Sequence, residues 1–226
     1  MWRDLIRMWR RDNLLGEAWN ESFQMLEIDQ EMFLEALRIL RESDTAAGNR
    51  EVLRKDARVD AYQQEVRRKL LTHCAFQGAA EMPQSMVLVT LVIDLERIGD
   101  YIKNMVNLAA NHPQRLQGGR LESDLRRVED AVKENFVRTR TCLESPDEPV
   151  ATKVLEETRW ISEVCDAGLL SLVKGEDTSL SSAQAVSLAL YIRWLKRINS
   201  HLGDIATSVV NPFDRIGFKP KGDDAP

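Results

Sequence analysis

The sequence predicts an all-α fold: two tandem three-helix bundles, six long antiparallel helices forming one elongated body. Three observations predict it. Nearly every segment places apolar residues at helical spacing. Breaks rich in Gly, Pro, Asn and Ser are sparse and fall at useful intervals. An internal repeat keeps its apolar phase: Leu95-Glu96-Arg97-Ile98 falls on Leu195-Lys196-Arg197-Ile198, Leu88 on Leu188, and the apolar positions 92, 102 and 105 on 192, 202 and 205.

Each helix follows from its punctuation. A first helix over about 2–43 ends at Asp44–Asn49 (DTAAGN), and a second runs from about Glu51 to Phe76. Gly78 and Pro83 break the chain before a third, about Gln84–Asn111. His112–Gly119, with Pro113 and a Gly-Gly pair, is the strongest loop signal. The fourth helix covers about Leu121–Glu144 and ends at Ser145–Pro149, and the fifth covers about Val150–Lys174. After Gly175–Ser179, Ser181 or Ser182 caps a sixth that runs to about Val210 and stops at Asn211-Pro212. The expected units are therefore 1–112 and 120–211, each of three helices, followed by a tail at 212–226 that is expected to be disordered.

Composition narrows the function. The 226 residues carry a net charge of -5, with 31 basic against 36 acidic residues, and no basic patch, which argues against nucleic acid as a partner. No apolar run approaches the roughly 20 residues of a membrane span. The N-terminus lacks the apolar core and cleavage site of a signal peptide, so the expected address is the cytoplasm. Cys74, Cys142 and Cys165 are odd in number and far apart, as fits buried thiols in a reducing compartment.

The chemistry concentrates in Asp94–Asn104. Glu96, Asp100 and Asn104 stand at i, i+4, i+8 and line one helix face, opposite Leu91, Leu95, Ile98, Ile102 and Met105. Two carboxylates and an amide suit a cation, but a divalent ion wants four to six ligands, so a second helix must contribute. Asp60 and Glu65, with Asp56 a turn earlier, are available on the second helix; Glu27, Glu31 and Glu35 form a row on the first. The alternative is a solvated acidic face, with Arg97 paired to Asp100. No Glu-x-x-His pair, HExxH, GxSxG, Walker A loop or GxGxxG is present, so no enzyme is expected. A separate stripe, Trp2, Leu5, Ile6 and Trp9 among Arg3, Arg7, Arg10 and Arg11, is either a partner-docking surface or a face packed on the body or a sister chain.

The segment DLERIGDYIKN, with the preceding DARVDAYQQEVRRKLL, Gln77 and a Pro break, resembles the phosphate-uptake regulator (PhoU) family, whose motif is LERIGD followed by an Asn. The resemblance covers about Leu14 to Val210. It implies two tandem three-helix bundles and a non-enzymatic regulator of phosphate transport and phosphate-starvation signalling. It also implies multinuclear metal binding through an acidic motif in each repeat, with iron or zinc among the metals. Glu96 and Asp100 match the metal-binding acids, Asn104 the polar residue a turn later, and Asp60 an acid of the preceding helix. The implied partners are a phosphate ABC transporter's ATPase, a sensor histidine kinase or a sodium–phosphate transporter, with a peripheral position at the inner membrane face through the partner; the Trp2/Trp9 stripe adds the expectation of a homodimer. The second repeat departs from the motif: Lys196 and Ser200 stand where acids are expected, and Asp204 takes the Asn104 position. One divalent or trivalent metal site is therefore expected, with the second-repeat site lost. The competing expectation is a helical metal-binding accessory protein without a phosphate role.

Overall fold

The computed structural model describes residues 13–44, 49–112, 114–145 and 147–218. Six helices carry the fold: α1 (Leu14–Leu37), α2 (Asn49–Gln77), α3 (Met82–Asn111), α4 (Glu122–Glu144), α5 (Glu148–Lys174) and α6 (Ser182–Val210). There is no strand among the described residues. The bounds of α2 to α6 differ from the sequence expectation by a residue or two. The expected extension of the first helix to residue 2, and the docking stripe of Trp2, Arg3, Arg7 and Trp9, lie outside the described residues.

Local chemistry sets the helix ends. Asn13 caps α1 by accepting from the Gly16 amide at 2.9 Å. Asp147 caps α5 through the Val150 amide, and Pro149 sits in its first turn. At α6 the cap is Ser181, in a reciprocal box with Gln184. Gly175 ends α5 in the left-handed region, φ 67°, and the Gly175 and Glu176 amides return to the carbonyls of Leu172 and Ser171.

Helices α1, α2 and α3 pack on one another, as do α4, α5 and α6; the triplets meet where α3 lies on α6 and α1 on α4. The repeat pairs 88/188, 92/192, 95/195, 98/198, 102/202 and 105/205 are all buried. The same apolar phase thus builds both bundle cores and keeps α3 and α6 central. Asp94 meets His201 and Tyr101 meets Arg197, so α3 and α6 run in opposite directions where they cross.

A buried polar tie joins the triplets. After α1 the chain widens into a π turn, Arg38–Glu42, that directs Arg41 inward. Arg41 donates from Nε to Glu129 at 2.7 Å, from Nη2 to Glu122 at 2.8 Å, and from Nη1 to the Leu116 carbonyl. Tyr191 donates to the same Glu129 oxygen at 2.8 Å. A buried guanidinium needs such company, because isolation from water costs several kcal/mol, an order-of-magnitude figure.

Residues 212–218 lie against the end of α6. The Asn211 side chain donates to the carbonyls of Arg215 (2.9 Å) and Phe218 (2.7 Å), and the Gly217 amide donates to Thr207 Oγ1 at 2.7 Å. Polar groups at the end of α6 hold a segment whose sequence reads only as a stop. Cys142 and Cys165 are buried free thiols, each pushed by burial up to about 12. No helix among the described residues is long and apolar enough to cross a membrane.

Candidate functional site

The site forms between α1, α2 and α3 of the first bundle. Its deepest member is Asp29 of α1, which is 0% exposed and has no hydrogen-bond partner on either carboxylate oxygen. Burial, with Asp56 and then Glu96 adding like charge, holds its carboxyl well above the usual range. Gly99 of α3 makes the space beside it: a Cβ there would lie 3.1 Å from Asp29 Oδ1 and 3.8 Å from Asp56 Oδ1. A glycine at this point lets α3 approach two carboxylates closely.

Lys103 closes one side. Its ammonium donates to Asp100 Oδ1 at 2.8 Å and to Asp56 Oδ2 at 3.0 Å, bridging α3 and α2. Burial works against the charge, but the two carboxylates outweigh it and raise the group above the ordinary lysine range. Burial lifts Asp56 despite Lys103. Glu96 is lifted first by burial, then by Asp100, with Asp60 adding to it and Arg97 opposing. Arg97 stays 3.8 Å from both Glu96 and Asp100, a loose contact on the exposed side.

Among the sequence-expected residues, Glu96, Asp100 and Asp60 therefore share one electrostatic neighbourhood. Asn104 lies half-buried one turn beyond Asp100. The row on the first helix is committed elsewhere: Glu27 pairs with Arg140, Glu31 with Lys55 and Glu35 with Arg38. Glu65 pairs with Arg68. The acid that α1 supplies is Asp29, which follows the apolar phase of Met25, Met32 and Phe33 rather than the acidic row. An acid in an apolar stripe was the readable signal. Lys103 gave none, because a base three residues after Asp100 reads as a surface pair.

The equivalent place in the second bundle is built from amides and a hydroxyl, with Arg138 donating to Asn135 Oδ1 at 3.1 Å. Asn135 of α4, also 0% exposed, donates to Asn199 Oδ1 at 2.8 Å, and Asn199 donates to Thr158 Oγ1 at 3.0 Å. Asn199 stands at the repeat position of Gly99, so an amide takes the place where the first bundle has no side chain. Gly203 stands at the position of Lys103, and a Cβ there would lie 3.0 Å from Thr158 Oγ1, so α5 and α6 approach without room for a long side chain. Lys196, at the position of Glu96, reaches Asp166 of α5 at 2.6 Å. Ser200 donates to the Lys196 carbonyl.

Can the first-bundle residues hold a cation? The donor types suit one, a fully buried carboxylate with both oxygens bare and four further acids in its electrostatic neighbourhood, but no three of these acids bring ligand atoms within 4.8 Å of one another, so side chains must close in to ligate an ion. Lys103 already neutralises part of that charge.

Residues 23–109 match the PhoU domain family. No curated protein sequence matches the chain. Two solved structures share the fold. The PhoU crystal structure from Pseudomonas aeruginosa aligns with TM-score 0.79 at 18% identity, over 87% of this chain and 95% of that one. The phosphate transport system regulatory protein PhoU from Streptococcus pneumoniae aligns with TM-score 0.74 at 14% identity, over 86% and 92%. Residues 23–109 thus match the PhoU domain family, and the six-helix body shares the fold of the two PhoU structures.

Proposed function

We propose that this protein regulates phosphate transport and phosphate-starvation signalling by docking onto a membrane-bound partner. The observation that carries the proposal is the PhoU domain at residues 23–109, set in the fold of the Streptococcus pneumoniae phosphate transport system regulatory protein. A transport ATPase of the ABC class or a sensor histidine kinase is the partner class that follows, with a sodium–phosphate transporter as the further option and a homodimer as the acting form. No catalytic constellation is needed for such a role.

The acid pocket belongs to this proposal as an optional metal site. Asp29, Asp56, Glu96 and Asp100 would hold the ion, with Asp60 beside Glu96. A bound divalent or trivalent ion such as iron or zinc would supply positive charge that ties α1, α2 and α3 together. The chain's own share is the placement of these acids and the ammonium of Lys103, which lowers the net negative charge that an incoming ion meets. The bare oxygens of Asp29 also favour a second reading, a helical metal-binding protein with no phosphate role.

One experiment separates the two. A phosphate-starvation reporter is measured in cells lacking this protein, grown in ample phosphate, and tagged protein is recovered from membranes for identification of what accompanies it. The regulator predicts a reporter switched on despite ample phosphate, silenced by restoring the chain, and a transporter or kinase component in the recovered material. A silent reporter, with metal content as the only change, would remove the phosphate role.

A further inference from the structure

We propose a second, separate metal site at the crossing of α3 and α6, where Asp94, His201 and Asp204 would bind one divalent transition-metal ion and staple the two bundles together. One ligand atom from each residue lies within 4.8 Å of the other two, and theirs is the one such group among the described residues. His201 Nδ1 is 2.9 Å from Asp94 Oδ1 and 3.9 Å from Asp204 Oδ2. The site shares no residue with the acid pocket.

The internal repeat explains why the site occurs once. Tyr101 and His201 are repeat counterparts, and their rings stack across the crossing at 5.9 Å and 21°. The counterparts of Asp94 and Asp204 are Trp194 and Asn104. One side of the crossing thus presents two carboxylates and an imidazole; the other presents an indole, a phenol and an amide. Only the first offers ligands for a metal.

The histidine itself points to a ligand. It is 8% exposed, and its Nε2 has no hydrogen-bond partner. With the proton on Nδ1, that nitrogen serves Asp94 and leaves the Nε2 lone pair bare in the interior. With the proton on Nε2, the Nδ1 lone pair faces two carboxylates, three electron donors with nothing between them. A metal ion at Nδ1 completes that second arrangement, in competition with a second ring proton that would make an imidazolium paired with Asp94. The cations nearby are engaged: Arg197 donates to the Tyr101 hydroxyl at 3.3 Å and lies over its ring, and Lys196 is held by Asp166.

The site is also reachable. Asp204 lines a groove of about 520 Å³ with Thr158, Ser162, Ser200 and Thr207. Of the three ligands only Asp204 lines that groove, so an ion would enter on its side, with space there for water in the remaining coordination positions. One imidazole with two carboxylates is a borderline donor set. It favours zinc, manganese or ferrous iron over calcium or magnesium, which prefer oxygen alone.

The test uses the full chain, stripped with chelator and carrying Glu96→Gln and Asp100→Asn to weaken the acid pocket. Zinc is titrated calorimetrically into this chain and into versions that add His201→Gln or Asp204→Asn, with thermal melting of each, metal-free and zinc-loaded. The proposal expects about one zinc bound by the parent, affinity reduced about tenfold or more by either addition, and zinc raising the melting midpoint of the parent alone. No zinc bound by the parent, or equal affinity in all versions that melt cooperatively, would overturn it. Should His201→Gln fail to fold, Asp204→Asn decides by the same criterion.

Discussion

The two bundles answer the same packing problem with opposite polar interiors. In the first, a buried carboxylate at Asp29 faces a glycine, and a lysine ties the neighbouring acids Asp56 and Asp100. In the second, Arg138 donates to Asn135, Asn135 to Asn199 and Asn199 to Thr158, an amide and hydroxyl chain with no buried carboxylate. The exchange is positional: Gly99 becomes Asn199, and Lys103 becomes Gly203. A satisfied network adds rigidity at little cost, whereas buried acids with bare oxygens store unfavourable energy that a cation can release. On the proposed reading the first bundle responds to an ion and the second holds shape.

The comparison breaks most visibly if the buried groups are exchanged. Asn135→Asp should destabilise by about 3 kcal/mol, because it removes the donor to Asn199 and sets two acceptors face to face; Arg138, which already donates to this side chain, pairs with the new charge but does not replace that donor. Asp29→Asn, in metal-free buffer, should change stability by under about 1 kcal/mol or raise it, because no hydrogen-bond partner is lost. Urea unfolding midpoints at neutral pH measure both; equal losses would mean that the interiors are alike.

A smaller effect is expected at the lysine that closes the acid pocket. Lys103→Met should cost about 2 kcal/mol, since hydrogen bonds to two carboxylates are lost. The loss should shrink when manganese or zinc is added, because an ion can then take over the charge. A loss unchanged by metal would make Lys103 a structural tie only. The smallest effect belongs to its second-bundle contrast: Lys196→Met removes an exposed pair with Asp166 and should cost under about 1 kcal/mol, with no response to metal. The same unfolding series reads all of these.

Much of the fold was legible because one period runs through both halves. Leu88, Leu95, Ile98 and Ile102 recur at 188, 195, 198 and 202, and all eight are buried. The motif acids were legible too, since Glu96 and Asp100 share a helix face by spacing alone. What the sequence hid depends on which face of each helix turns inward. Glu27, Glu31 and Glu35 have tidy spacing and point to basic partners, while the isolated Asp29 enters the core. The meeting of Asp94 and His201 was hidden for another reason: it depends on the angle at which α3 crosses α6, which no local pattern encodes.

The central claim, that the first bundle holds a cation and the second does not, is tested most directly by anomalous diffraction from crystals of the full chain grown with manganese. The account predicts a peak among Asp29, Asp56, Glu96 and Asp100, with no peak among Asn135, Thr158 and Asn199. A peak inside the second bundle, or none beside Asp29 at saturating manganese, would contradict it.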